Sequence, residues 1–330
     1  MRAPDFWNHN GFLPRLLTPL GALYAFGGRL KICLTTPQQA PIPVICIGNL
    51  VAGGAGKTPV ALEIIKRLQG TGLEVHALTR GYGGKERGPL KVEIDRHDAS
   101  DVGDEALLLA RQTRTWVSRD RPAGARAAAA DGADIIVMDD GFQNPSLRKD
   151  LSFVVIDSAF GLGNGRVMPA GPLREAARQG LERADAVVLL GNANPALETE
   201  IANIAVCPVL PAELIPGSAA QEFAGTRVLA FAGIGRPDKF YATLRGLLAN
   251  IVETRDFPDH HPYSGEEIDQ LLERAENLNA LAVTTEKDAV RLSPNTRSRI
   301  AVLPVKVSWR DSDRIESLLG PLTKGRSVSG

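Results

Sequence analysis

The chain of 330 residues is 44% hydrophobic and 23% charged, enough for buried cores and, by length, for two domains of α/β type. Its 38 basic and 38 acidic side chains cancel, which argues against a general attraction to nucleic acid. Cys33, Cys46 and Cys207 lie far apart with no Cys-x-x-Cys pair, which disfavours a disulfide framework or a cysteine-bound metal and suits a reducing cytoplasm.

The first forty residues carry Phe12, Leu13, Leu16, Leu17, Leu20, Leu23 and Tyr24 at helical spacing, preceded by Phe6 and Trp7. Arg2, Arg15, Arg29 and Lys31 face one acidic residue, Asp5. Only thirteen uncharged residues separate Arg15 from Arg29, against the roughly twenty that a membrane-spanning helix needs. The segment is therefore not expected to cross a bilayer, and no cleavable leader is evident. An amphipathic helix lying in the surface of an anionic membrane is one reading, and a helix packed on the protein's own core is the other. Residues 1–43 form this segment, the proline-bearing stretch 36–43 being its linker.

Val44-Ile45-Cys46-Ile47 then feeds Gly48-Asn49-Leu50-Val51-Ala52-Gly53-Gly54-Ala55-Gly56-Lys57-Thr58, read as strand, phosphate loop and helix. Backbone amides of Gly53, Gly54, Ala55 and Gly56 can close around phosphate oxygens at the helix N-terminus, Lys57 adds a mobile charge, and Thr58 offers a hydroxyl to Mg²⁺. The usual first glycine of this motif is replaced by Val51. After a helix over 59–70 and a strand over 73–79 comes Arg80-Gly81-Tyr82-Gly83-Gly84, a flexible tip at the same sheet edge or a plain surface turn. In Asp101-Val102-Gly103-Asp104-Glu105 the acidic residues begin a helix, either as caps or facing the γ-phosphate.

Ala133-Asp134-Ile135-Ile136-Val137-Met138 runs into Asp139-Asp140, a buried strand delivering two carboxylates where nucleotide-binding sheets hold their metal. With the upstream loop this forms a Walker pair, and ATP with Mg²⁺ is the expected chemistry. Gly141-Phe142-Gln143-Asn144 follows, then a strand over 151–156 ending at Asp157. The glycine- and proline-rich passage from Phe160 to Met168-Pro169-Ala170-Gly171-Pro172-Leu173-Arg174-Glu175 is long for a connector and reads as a substrate loop. A further strand covers 186–190, and the irregular, proline-bearing stretch 207–223 marks a domain boundary, giving a core over 44–222 and a second domain over 223–330. There, Gly233-Ile234-Gly235-Arg236-Pro237 reads as a helix-entry turn, and strands are expected from 227, from 251, over 282–285 and over 300–307, closing a second small sheet. Phe257-Pro258-Asp259-His260-His261-Pro262-Tyr263 gathers two of the five histidines beside a carboxylate, as an acid–base group or as a solvated loop.

Taken in order, these stretches resemble one family, tetraacyldisaccharide 4′-kinase of lipid A biosynthesis. The likeness spans nearly the whole chain as far as Thr285-Glu286-Lys287-Asp288, and Pro169-Ala170-Gly171-Pro172-Leu173-Arg174-Glu175 and Asp259-His260-His261 are its more specific parts. Ala106 stands where the family usually shows proline. The resemblance implies an α/β fold: a P-loop NTPase-like, mostly parallel sheet with helices on both faces, a smaller C-terminal α/β domain and the N-terminal amphipathic helix. It implies a peripheral enzyme on the cytoplasmic face of the inner membrane, with a lipid disaccharide as partner and no obligate protein partner. The γ-phosphate of ATP would move to the 4′-hydroxyl of a tetraacyldisaccharide 1-phosphate. Asp104 would be the base, assisted by His260 with His261 as alternate. Thr58, Glu105 and Asp140 would surround Mg²⁺ with Asp139 in support, and Tyr82, Gln143, Arg174 and Glu175 would face the sugar and its phosphate.

The rival reading is a nucleotide switch that uses hydrolysis only to reset. Many such loops carry lysine before the paired glycines; this chain has Ala52, and its apolar N-terminus and Arg174-Glu175 loop favour a kinase.

Overall fold

The computed structural model describes residues 4–323. In chain order the strands are β1 (Val44–Gly48), β2 (Val75–Thr79), β3 (Leu90–Lys91), β4 (Thr115–Val117), β5 (Ile135–Asp139), β6 (Leu151–Asp157), β7 (Ala186–Leu190), β8 (Val209–Pro216), β9 (Arg227–Ala232), β10 (Asn250–Asp256), β11 (Leu281–Thr285), β12 (Ala301–Leu303) and β13 (Val305–Trp309). A nine-stranded sheet has the order β13-β8-β7-β6-β1-β5-β2-β4-β3, and a four-stranded sheet the order β10-β9-β11-β12. The pairings are parallel except β13 with β8 and β3 with β4.

The central strands are continuous aliphatic runs because both faces of the sheet are covered. Side chains alternate between the faces at the strand period of two. Cys46, Ile136, Met138, Val154 and Ile156 pack against Ala125, Ala128, Leu181 and Ile201 on one face. Ile45, Ile47, Val137, Phe153 and Val155 pack against Val60, Ile64, Leu68 and Leu109 on the other. The small sheet has the same two-sided plan, with Leu244 and Tyr241 beneath and Leu271 and Leu272 above.

The C-terminal segment departs from expectation. The stretch 300–307 does not close the small sheet as one strand. It divides at Pro304, so that β12 ends the small sheet while β13 returns to the large one, antiparallel to β8. The helix Ser312–Thr323 follows it, burying Ile315 and Leu319 beside Val60 and Ile64. The core therefore takes its last strand and helix from beyond the second domain. The irregular stretch 207–223 likewise contains β8, whose Pro211 lacks a ladder donor but still accepts from the Arg310 amide at 3.1 Å.

The N-terminal helix, Phe12–Leu34, lies on the glycine-rich passage through its small and polar side. Trp7 Nε1 donates to the Pro169 carbonyl at 3.1 Å, Arg166 reaches the Thr18 hydroxyl at 2.6 Å, and Arg29 donates to Gln179 at 2.6 Å. Only Pro14 and Gly21 are buried in this helix. Phe12 is 82%, Leu23 67% and Leu34 76% exposed, so the apolar residues are not spent on the protein's own core. Arg2 lies outside the described residues. Among those described, no helix is long and apolar enough to cross a membrane.

Candidate active site

β1 sits between β5 and β6, so the loop after β1 and the carboxylates ending β5 emerge at one sheet edge. Gly56 is the N-cap of the helix Lys57–Gly70, in left-handed backbone at φ 82°. A Cβ there would also lie 2.3 Å from Leu190 Cδ2, so only glycine fits. Thr58 Oγ1 donates to Asp139 Oδ2 at 2.9 Å, and Lys57 Nζ lies 3.4 Å from Asp140 Oδ1. Asp140, at φ 53°, also receives Arg174 Nη1 at 3.2 Å.

The two neighbouring aspartates titrate apart. Burial pushes Asp139 up to about 7, Lys57 opposing and Asp140 and Glu105 adding to it. Burial pushes Asp140 up as well, but Lys57, Arg174 and Arg121 outweigh it and hold that carboxyl below its usual value. Asp139 Oδ1 and Glu105 Oε2 are buried without a hydrogen-bond partner. The unpaired Asp139 Oδ1, on the carboxylate that takes the Thr58 hydroxyl, and Glu105 Oε2 are hard donors of the kind Mg²⁺ takes. Among the described residues, no three His, Cys, Asp or Glu are grouped to hold an ion by themselves.

The passage ending in Arg174-Glu175 is stitched to the phosphate loop. The Ala52 amide donates to the Pro172 carbonyl at 2.8 Å and the Arg174 amide to the Leu50 carbonyl at 2.7 Å. Val51, which replaces the usual glycine, forms an antiparallel bridge with Leu173. Gln143 Nε2 donates to the Asn49 carbonyl at 2.8 Å and to Glu175 Oε1 at 3.1 Å, while Glu175 takes Arg183 at 2.7 and 3.0 Å. Gln143 and Glu175 thus brace the loop. Arg174 stays beside Asp140, and Tyr82 is exposed with its ring 5.8 Å from that of His260.

Asp104 begins the helix Asp104–Ala110 after Gly103, whose φ of 85° and 2.3 Å approach of a notional Cβ to the Tyr82 carbonyl require glycine. The turn of Gly81 and Tyr82 therefore packs directly on the backbone that aims Asp104. Asp104 is buried, and its Oδ2 meets His260 Nδ1 at 2.7 Å, Arg291 Nε at 2.8 Å and Arg291 Nη2 at 2.6 Å. Burial alone would raise its pKa, but the hydrogen bonds from His260 and Arg291 and the Arg291 charge bring it down to about 2. Arg291 is fixed in turn by Asp288 Oδ1 at 2.8 Å and by the Gly233 carbonyl at 3.0 Å. His261 points elsewhere: its Nε2 meets Glu267 at 2.9 Å and its ring stacks on Phe257 at 4.8 Å. Arg291 escaped the sequence reading, although it stands one turn after the Asp288 of a motif residue run. Lys287, within that run, has its ammonium 3.1 Å from Glu105.

The chain as a whole is similar to known proteins. A family model described as tetraacyldisaccharide-1-P 4′-kinase matches residues 13–323. A tetraacyldisaccharide 4′-kinase of Paramagnetospirillum magneticum is 52% identical over 322 residues, 98% of each chain. One from Rhodospirillum centenum is 50% identical over 340 aligned positions, 100% of this chain and 99% of that one. Among solved structures, the "apo" form of LpxK from Aquifex aeolicus, crystallised in complex with ATP, superimposes with a TM-score of 0.75 at 25% identity, over 94% of this chain and 100% of that one. The family model and these relatives each cover nearly the whole chain, and the chain belongs to the tetraacyldisaccharide-1-P 4′-kinase family.

Proposed function

We propose that Asp104 and His260 together receive the proton of the 4′-hydroxyl while the γ-phosphate of ATP, held on residues 53–58, passes to that oxygen. The chain is an ATP-dependent kinase of lipid A biosynthesis, acting on the 4′ position of a tetraacyldisaccharide 1-phosphate. The observation that carries the residue assignment is the 2.7 Å contact between Asp104 Oδ2 and His260 Nδ1, which joins the two sheets at the edge where the phosphate loop emerges.

Phosphoryl transfer asks the protein mainly to align reactants and neutralise charge. The loop amides and Lys57 cradle the phosphates. Thr58, Glu105, Asp139 and Asp140 would hold Mg²⁺, which when bound offsets the charge on the transferring phosphoryl group. A sugar hydroxyl needs a seat for its proton. Asp104 Oδ2 is fully engaged, so Oδ1 is the atom available to orient the hydroxyl, and the imidazole supplies the second seat. Arg291 keeps Asp104 ionised and fixes its plane. Tyr82 and Arg174 would meet the sugar and its phosphate, with Gln143 and Glu175 supporting the loop that carries Arg174.

The exposed apolar face of Phe12–Leu34, flanked by Arg15, Arg29 and Lys31, supports peripheral attachment to the cytoplasmic face of the inner membrane, where an acylated substrate resides. The test of the whole reading is transfer of labelled phosphate from ATP to the tetraacyldisaccharide 1-phosphate, with Lys57→Ala as control. Appearance of the 4′-phosphorylated lipid, lost in the control, is expected; ATP consumption that ignores the lipid and yields only inorganic phosphate would instead indicate a nucleotide switch.

A further inference from the structure

Thr58 and Asp139 mark the flank of β1 that faces β5. On the opposite flank, where β6 ends, a small cavity is lined by residues 51–55 and by Asp157, Phe160 and Arg236. Asp157 Oδ1 accepts from the Ala159 amide at 2.9 Å. Its Oδ2 holds two cations at once, Arg236 Nη1 at 2.7 Å and Lys239 Nζ at 2.6 Å. Both come from the small-sheet side, at the start of the helix Pro237–Gly246. The Arg236 guanidinium also lies 4.8 Å over the Phe160 ring, which keeps its plane fixed. One carboxylate cannot neutralise two cations, and the surplus positive charge borders a loop built to bind phosphate.

With its γ end beside Thr58 and Asp139, on the β5 side of β1, a triphosphate would have the β6 flank to extend toward. We propose that Arg236 and Lys239 form the nucleoside-side wall of the ATP site and bind its α-phosphate, giving up part of their hold on Asp157 as it enters. The wall deepens the assignment of the phosphate loop and rests on it. Because the cations and the loop belong to different sheets, bound nucleotide ties the two together at this flank while Asp104 and His260 tie them at the other.

The test is calorimetric binding of ATP and of ADP to the full-length protein, joined to steady-state kinetics on the lipid. Arg236→Ala and Lys239→Ala are each expected to weaken both nucleotides by about 10-fold, equally for ATP and ADP because the α-phosphate is common to both. KM for ATP should rise with KM for the lipid unchanged, and Arg236→Lys should recover most of the loss. Asp157→Asn, which frees both cations, should tighten ATP binding. A pair that merely braces the sheets would lower the melting temperature and leave both nucleotide affinities within twofold of wild type, and that result overturns the proposal. Lys239 is half exposed, so its variant serves even where Arg236→Ala fails to fold. Lys57→Ala separates the two assignments: undiminished ATP binding there would refute the phosphate loop itself, whatever the Arg236 variants do.

Discussion

Lys287 Nζ lies 3.1 Å from Glu105 Oε1 and 3.4 Å from His260 Nε2, so one ammonium from the small-sheet side touches both a proposed metal ligand and the proposed proton acceptor. Glu105 cannot give both oxygens to a cation while Lys287 holds one of them. Lys287→Met should therefore tighten binding of Mg²⁺–ATP by a few-fold, the competing charge being gone. The same change leaves His260 without its neighbour, and lipid phosphorylation should fall by about 10-fold or more. Calorimetry of Mg²⁺–ATP and initial rates of lipid phosphorylation check the two signs. Weaker nucleotide binding would show that the ammonium supports the site rather than competing in it.

The neighbouring histidines should behave differently. Asp104→Ala and His260→Ala each remove part of the same unit, so each should cut turnover by roughly 10²–10⁴-fold and the double variant by little more than either. ATP binding, which rests on residues 53–58, should survive in all three. His261→Ala removes a ring stacked on Phe257 and a contact to Glu267, so it should cost stability of about 1 kcal/mol with turnover near normal. Single-turnover rates and thermal melts on the same preparations separate the outcomes.

Much of this arrangement was legible because it is written in contiguous residues. The phosphate loop and the strand ending in Asp139-Asp140 each carry their chemistry within a dozen positions, and their strand and helix context follows from local aliphatic runs. What separates His260 from His261 is not local composition but backbone: His260 sits at φ 61°, a conformation that costs a non-glycine residue about 1–3 kcal/mol, and its ring meets Asp104. Arg291 meets Asp104 across 187 positions of chain, a distance over which spacing carries no signal. The return of β13 to the large sheet was hidden for the same reason, since a strand's pattern does not name its partner. Gln143 and Glu175 show the converse, polar residues near a site whose partners are each other and the loop.

Acid should weaken the link between the sheets. Asp104 is held near 2, below the ordinary 3.8, so its contacts contribute stability that is fully present above the ordinary value. That contribution is lost as pH falls through the window from about 4 to 2, and a shift of this size corresponds to about 2 kcal/mol. Wild-type stability should thus fall more steeply than that of Asp104→Asn in this window, because the amide has no proton to gain. Denaturant melts at half-unit pH steps give the difference. Parallel curves would mean that Asp104 is not ion-paired to Arg291 in solution.

The N-terminal helix leaves its apolar face in water, where each large side chain forgoes about 1.5–3 kcal/mol available on burial. Phe12, Leu16, Leu23 and Phe26 are all more than 60% exposed, and the side facing the protein is the one with Pro14, Gly21 and Thr18. The contact with the glycine-rich passage is thus polar and small, and leaves the apolar side of the helix uncovered. Deleting residues 1–28 should release the protein from vesicles containing anionic lipid and leave it soluble without detergent. On the long-chain substrate KM should rise by about 10-fold or more, since the enzyme no longer shares a surface with the lipid, whereas ATP binding should be unaltered. Because the deletion also removes the hydrogen bonds of Trp7 and Thr18 to the passage that carries Arg174, a second variant, Leu16→Ser with Leu23→Ser, keeps those bonds and alters only the exposed face. Vesicle partition that is unchanged in both variants would place the membrane contact elsewhere on the molecule.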